Sequence, residues 1–242
     1  MKLLNFSRRC AKEILRDPLN LGFGIGFPVI LLLLLSAIQA NIPVSLFEIE
    51  SLAPGIAVFG LSFLTLFTAT LVAKDRESAL IKRLYTTPMK PLDFLLGYTL
   101  PILPMALAQG AVCFILAMIL GLEFTKEIFL CLLALLPVAL FFISVGLLCG
   151  SLLSVKQVGG ICGALFTNLS AWLSGIWFDI KLVGGVFEKT ANLLPFVHAV
   201  ELERAVLTGG DGILTHLLWV LGYAVASLAL AVFFFYRQMN KQ

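Results

Sequence analysis

Along this chain the polar residues gather in short clusters, and the apolar stretches between them are long enough to cross a hydrocarbon core, which takes roughly 20 helical residues. Six such stretches are predicted as transmembrane helices, over residues 19–39, 52–73, 94–120, 128–150, 155–178 and 213–236. Residues 1–17 follow a different pattern. Leu3, Leu4, Ser7, Cys10, Ala11, Ile14 and Leu15 share one helical face, and Lys2, Asn5, Arg8, Arg9, Lys12, Glu13 and Arg16 share the other. A short helix with a basic polar face suits the plane of an anionic membrane surface. Asp17 can cap the next helix, with Pro18 at its first position where a missing N–H costs nothing, so the chain turns there from the surface into the membrane. The mixed charge of this segment separates it from a cleaved secretory signal, and it is read as retained.

Smaller features refine the spans. Gly22, Gly24 and Gly26 are expected to let another helix approach the first span closely. Pro101 and Pro104 are expected to bend the third. Residues 74–93 form a charged connector between the second and third spans, and residues 179–212 form a longer segment before the last. The predicted fold class is all-α integral membrane: one domain over residues 1–242, with an interfacial N-terminal helix and six transmembrane helices.

Composition sharpens this picture. With 60% hydrophobic and 13% charged residues, the chain has too little charge to cover a soluble domain of 242 residues. Lysine and arginine accumulate on the cytoplasmic side of a membrane. With the N-terminus inside, the inner segments hold Lys2, Arg8, Arg9, Lys12, Arg16, Lys74, Arg76, Lys82, Arg83, Lys90, Lys156, Arg237 and Lys241, and the outer ones only Lys126, Lys181, Lys189 and Arg204. Both termini are therefore expected on the cytoplasmic side of the membrane. Basic residues so placed need no nucleic acid to explain them, and no nucleic-acid motif accompanies them.

Catalytic chemistry is scarce. By these boundaries every lysine, arginine and carboxylate falls outside the spans, which argues against a proton-coupled pump. His216, near the outer end of the last span, is read as interfacial rather than as a relay. Neither GxSxG nor HExxH occurs, and two histidines with five dispersed cysteines suit neither a metal site nor a disulfide framework. The stretch from Gly184 to Thr190 imitates a phosphate loop but carries Glu188 where that loop requires glycine. No cofactor is expected in this chain, and any energy for transport must come from a partner.

The connector is the most informative stretch. Asp75 and Glu77 favour the start of a short helix, Lys82 and Arg83 its end, and Pro88 and Pro91 close it. Ile81, Leu84 and Tyr85 would show on one side, to dock against a cytoplasmic protein or to lie on anionic lipid; the residues alone leave both open. Arg76-Glu77, then Lys82-Arg83-Leu84, then Thr87-Pro88 resembles the first cytoplasmic connector of bacterial ABC-2 type export permeases. The order of parts agrees along nearly the whole chain: an elbow ending in Arg16-Asp17-Pro18, six spans, and a re-entrant outer segment. That segment runs from Leu194-Pro195-Phe196-Val197-His198 into Arg204-Ala205-Val206-Leu207. One departure is Ala79, where many relatives carry glycine; alanine stiffens a helix by roughly 1 kcal/mol over glycine.

The resemblance implies an exporter in which two permease chains, identical or paralogous, pair in the lipid. Each docks an ABC ATP-binding subunit that supplies ATP and magnesium. It implies that residues 74–93 act as a coupling helix, with Asp75, Arg76, Glu77, Ile81, Lys82, Arg83, Leu84 and Tyr85 at the contact. Pro195, His198 and Arg204 would then belong to the re-entrant segment. It also implies a substrate path between the paired chains, along the second and fifth spans. There Phe59, Phe63 and Phe67 recur every four residues on one face, as do Phe166, Ser170, Leu173 and Trp177. With the hydroxyls of Thr68, Ser170 and Ser174, these faces suit a hydrophobic or amphipathic cargo such as a drug, antibiotic or lipid-like molecule. An ion or polysaccharide cargo, or a non-transporting anchor or sensor for the same type of ATPase, are the rival expectations.

Overall fold

The structure is a computed structural model that describes residues 2–43, 45–78 and 91–239. All regular structure among the described residues is helical. Helix α1 (Lys2–Leu15) is followed by α2 (Pro18–Leu21), a π-helical turn (Gly22–Gly26) and α3 (Phe27–Gln39), which form the first apolar rod. Then come α4 (Ile49–Glu77), α5 (Pro91–Ile119) and α6 (Glu127–Leu152). The chain continues as α7 (Val155–Val158), a second π-helical stretch (Gly159–Phe166) and α8 (Thr167–Trp172). Three further helices, α9 (Ile180–Val183), α10 (Gly185–Leu193) and α11 (Pro195–Thr208), precede the last, α12 (Ile213–Met239).

Five helices among the described residues are long and apolar enough to cross a membrane: Gly22–Gln39, Ile49–Glu77, Leu92–Ile119, Glu127–Leu152 and Ile213–Arg237. This is a multi-pass membrane protein. The expected fifth span, 155–178, is shorter and less regular. Its helical part stops at Trp172, and turns follow in which Gly175 takes a left-handed φ of 72°. Of the proline bends expected in the third span, the structure shows α5 continuing as helix through both Pro101 and Pro104.

Helix α4 is the axis of the bundle. Eighty-nine per cent of its apolar window is buried, against 22% for the first span and 17% for α12, so those two keep broad faces for lipid or another chain. It packs most extensively on α6. Gly146 and Gly150 make that approach possible: a Cβ at either position would lie 2.7 Å from the backbone oxygen of Thr65 or of Ala69. Such one-turn pairs of small residues let helix backbones meet where lipid supplies no hydrophobic drive. Of the three glycines expected to do this in the first span, only Gly24 does, against Phe67 and Met105; Gly22 and Gly26 face open space.

Helix α1 packs along α5. Its anchor is Phe6, absent from the apolar face read in the sequence. Phe6 fills the notch over Gly97 and meets Phe94 and Tyr98 edge-on, with ring centroids 5.8 and 5.0 Å away. Cys10 is buried beside it, whereas Leu4 and Leu15 are 61% and 70% exposed. The buried face is thus rotated from the expected one, because an aromatic ring over a glycine notch outweighs two leucines that lipid accommodates equally well.

Candidate functional site

The end of the bundle at which α1 lies carries a dense polar junction, assembled on the last turn of α4. Asp75 is only 2% exposed, although the sequence had placed it on a charged surface connector. A buried carboxylate requires donors, and here it has three. Both terminal nitrogens of Arg9 donate to it in a two-pronged pair, the longer contact 2.6 Å from Nη2 to Oδ1. The Tyr98 hydroxyl donates to Oδ2 at 2.9 Å. Arg9 also pairs with Glu13 at 2.7 Å. Hydrogen bonding to Asp75 raises the pKa of the Arg9 guanidinium beyond its ordinary value, against the cost of burial. Burial pushes the neighbouring Cys10 thiol up to about 12, so it stays protonated and inert.

The next two residues reach the other way. Arg76 donates to the backbone oxygens of Ser151 and Leu153, which the end of α6 leaves without helical partners. Glu77 Oε1 accepts from the Val155 N–H at 2.9 Å, at the start of α7. Three consecutive residues therefore fasten α4 to α1 and α5 on one side and to the α6–α7 turn on the other. Ile81, Lys82, Arg83, Leu84 and Tyr85 lie outside the described residues.

At mid-bundle, Phe59, Phe63, Phe67 and Trp177 come together as a ladder of rings. Centroid separations are 5.9 Å from Trp177 to Phe59, 5.7 Å to Phe63 and 6.5 Å on to Phe67. Phe27, in the first span, meets Phe59 and Phe63 at 6.2 and 5.6 Å and helps to cover the ladder, leaving its three phenylalanines under a tenth exposed. Phe166 sits elsewhere, against Phe142 and Phe196. Ser170 and Ser174 donate to backbone oxygens of their own segment, and the Thr68 hydroxyl is buried.

The far end is organised by α11. Pro195 opens this helix, and His198 stacks on Trp219 of α12 at 4.8 Å. His198 Nε2 lies 2.9 Å from the Asn192 carbonyl and must donate there, so in the neutral ring Nδ1 accepts the 2.9 Å bond from His216 Nδ1. His216, read as interfacial, thus ties the last helix to α11. Arg204 pairs with Glu201 at 2.9 Å and donates at 3.2 Å to the backbone oxygens of both Ser51 and Gly175. A cavity of about 570 Å³ opens here, bordered by Trp177, Glu188, Asn192, Glu201, Arg204 and His216.

One group at this end went unread in the sequence. Glu203 is fully buried, and neither carboxylate oxygen has a hydrogen-bond partner. The Cys131 thiol, donating to the backbone oxygen of Glu203, is its polar neighbour on α6. Burial raises the carboxyl pKa well above its ordinary range, so it is held neutral. Glu203 lies outside the long apolar helices, as expected of a carboxylate, but is buried there, whereas Asp75, expected beyond the second span, falls inside the helix Ile49–Glu77. Among the described residues, no three histidine, cysteine or acidic side chains gather as a metal site.

No curated protein matches the chain. Residues 2–208, however, match the family described as ABC-2 type transporter. That match covers most of the 242 residues, and this protein belongs to the ABC-2 type transporter family, as a permease-like membrane component without catalytic chemistry of its own.

Proposed function

We propose that the chain is the permease subunit of an ABC exporter, moving a hydrophobic or amphipathic molecule out of the cell on ATP hydrolysed by a separate subunit. The observation that carries this reading is the polar junction at the end of α4. The connector follows α4 directly, and force applied to it reaches α1, α5, α6 and α7 through Asp75, Arg76 and Glu77. The junction end is cytoplasmic, in keeping with its lysine and arginine excess, and residues 155–178 make a sixth crossing. The ATP-binding subunit contacts the connector through Ile81, Lys82, Arg83, Leu84 and Tyr85, while Asp75, Arg76 and Glu77 transmit from behind. Two permease chains pair, and the first span moves aside to open the ring ladder of Phe59, Phe63, Phe67 and Trp177 to cargo.

The test is charge reversal at Lys82 and Arg83 in the chain co-expressed with its ATP-binding partner. The expected result is loss of co-purification and of ATP-dependent transport, with the unfolding temperature of the permease unchanged. Undiminished transport would overturn the coupling assignment.

A further inference from the structure

The elbow helix turns Phe6 and Cys10 into the protein and commits Arg9 to Asp75 and Glu13, which leaves a composite face outward. Arg8, Lys12 and Arg16 follow one another every four residues along one stripe of that face. All three are exposed, and none forms an ion pair among the described residues. With Asn5 and the paired Arg9 and Glu13 they border a hollow of about 590 Å³, in which Glu13 is the one carboxylate and is held by Arg9. Leu4 and Leu15, both more than half exposed, flank this stripe on one side only. Three unpaired cations beside two unburied leucines match the chemistry of one occupant, a phospholipid with an anionic headgroup. The leucines enter the acyl region, and the cations hold phosphate oxygens at headgroup depth.

We propose that the outward face of α1 is a binding site for anionic phospholipid, built from Arg8, Lys12 and Arg16 with Leu4 and Leu15. This rests on the anionic-surface placement of α1 and goes beyond it in assigning the headgroup to Arg8, Lys12 and Arg16, since Arg9 is committed inward, and the acyl contact to Leu4 and Leu15. Arg9 adjoins Arg8 in sequence and holds Asp75, so lipid on this face keeps α1 seated at the junction from which α4 runs into the connector.

The experiment reconstitutes the full chain in phosphatidylcholine vesicles with Leu15→Trp as reporter, subtracting the signal of the native tryptophans measured in the parent. Brominated phosphatidylglycerol and brominated phosphatidylcholine are then compared as quenchers. Phosphatidylglycerol is expected to quench at several-fold lower mole fraction. Because each basic side chain near an anionic surface is worth roughly fivefold in association, stepwise Arg8→Gln, Lys12→Gln and Arg16→Gln should reduce the preference until the two lipids quench alike. Equal quenching in the parent overturns the proposal while leaving α1 on the membrane, as does a preference that survives all three substitutions. Quenching by neither lipid overturns the surface placement itself and assigns the face to a protein.

Discussion

Glu203→Gln isolates the energetics of a buried, unpartnered carboxyl. While α11 is docked, Glu203 is fully buried and kept neutral by burial. If α11 lifts and water reaches it, the group returns to an ordinary glutamate value near 4.3 and ionises at neutral pH. The docked state therefore binds one more proton than the lifted state. Docking is strongest below the lifted-state value and weakens as pH rises towards the raised docked value. Across that window each pH unit costs docking about 1.4 kcal/mol, a tenfold change in the opening equilibrium. The assay is hydrogen exchange at the amides of residues 195–208, corrected for the intrinsic pH dependence of the chemistry, from pH 5.5 to 7.5. Protection in the parent should fall about tenfold per pH unit where reclosing outpaces exchange. Glutamine does not titrate, so its profile should be flat. Its unsatisfied amide shifts the absolute level by roughly 1–3 kcal/mol, which makes the slope the diagnostic quantity. Parallel slopes in the two proteins would refute the reasoning.

Arg9→Met leaves Asp75 buried with Tyr98 alone and should lower stability by about 2–3 kcal/mol, less than a fully buried pair because the Arg9 side chain is 37% exposed. Adding Asp75→Asn should recover part of that loss in thermal unfolding; a double variant weaker than Arg9→Met would contradict this account of the junction. Gly146→Ala forces a Cβ against the Thr65 backbone oxygen, which cannot yield, and should cost roughly 1–3 kcal/mol. Gly222→Ala, with nothing within 4 Å, is the control and should stabilise α12 by up to about 1 kcal/mol.

The membrane class, the helical content and the near boundaries of five long helices were legible in the sequence alone. Their reason is one-dimensional: a span needs a minimum length of apolar residues, and a charge cluster ends it. The elbow was legible too, because an amphipathic pattern survives wherever one side meets water. Facing was not. In a bilayer, lipid is as apolar as the protein interior, so hydropathy cannot say which side of a helix meets another helix. That is why Phe6 replaced the expected elbow face, why Gly24 packs while Gly22 and Gly26 do not, and why Phe166 parted from Trp177. The same limit hid the buried carboxylates. Glu201 and Glu203 are two residues apart on one helix, yet one pairs with Arg204 at 41% side-chain exposure and the other is sealed without a partner. Asp75, read as a surface charge, belongs to the interior because Arg9 and Tyr98, 66 positions before it and 23 after it, converge there. Convergence of distant segments is a property of packing, and only the tertiary structure decides it.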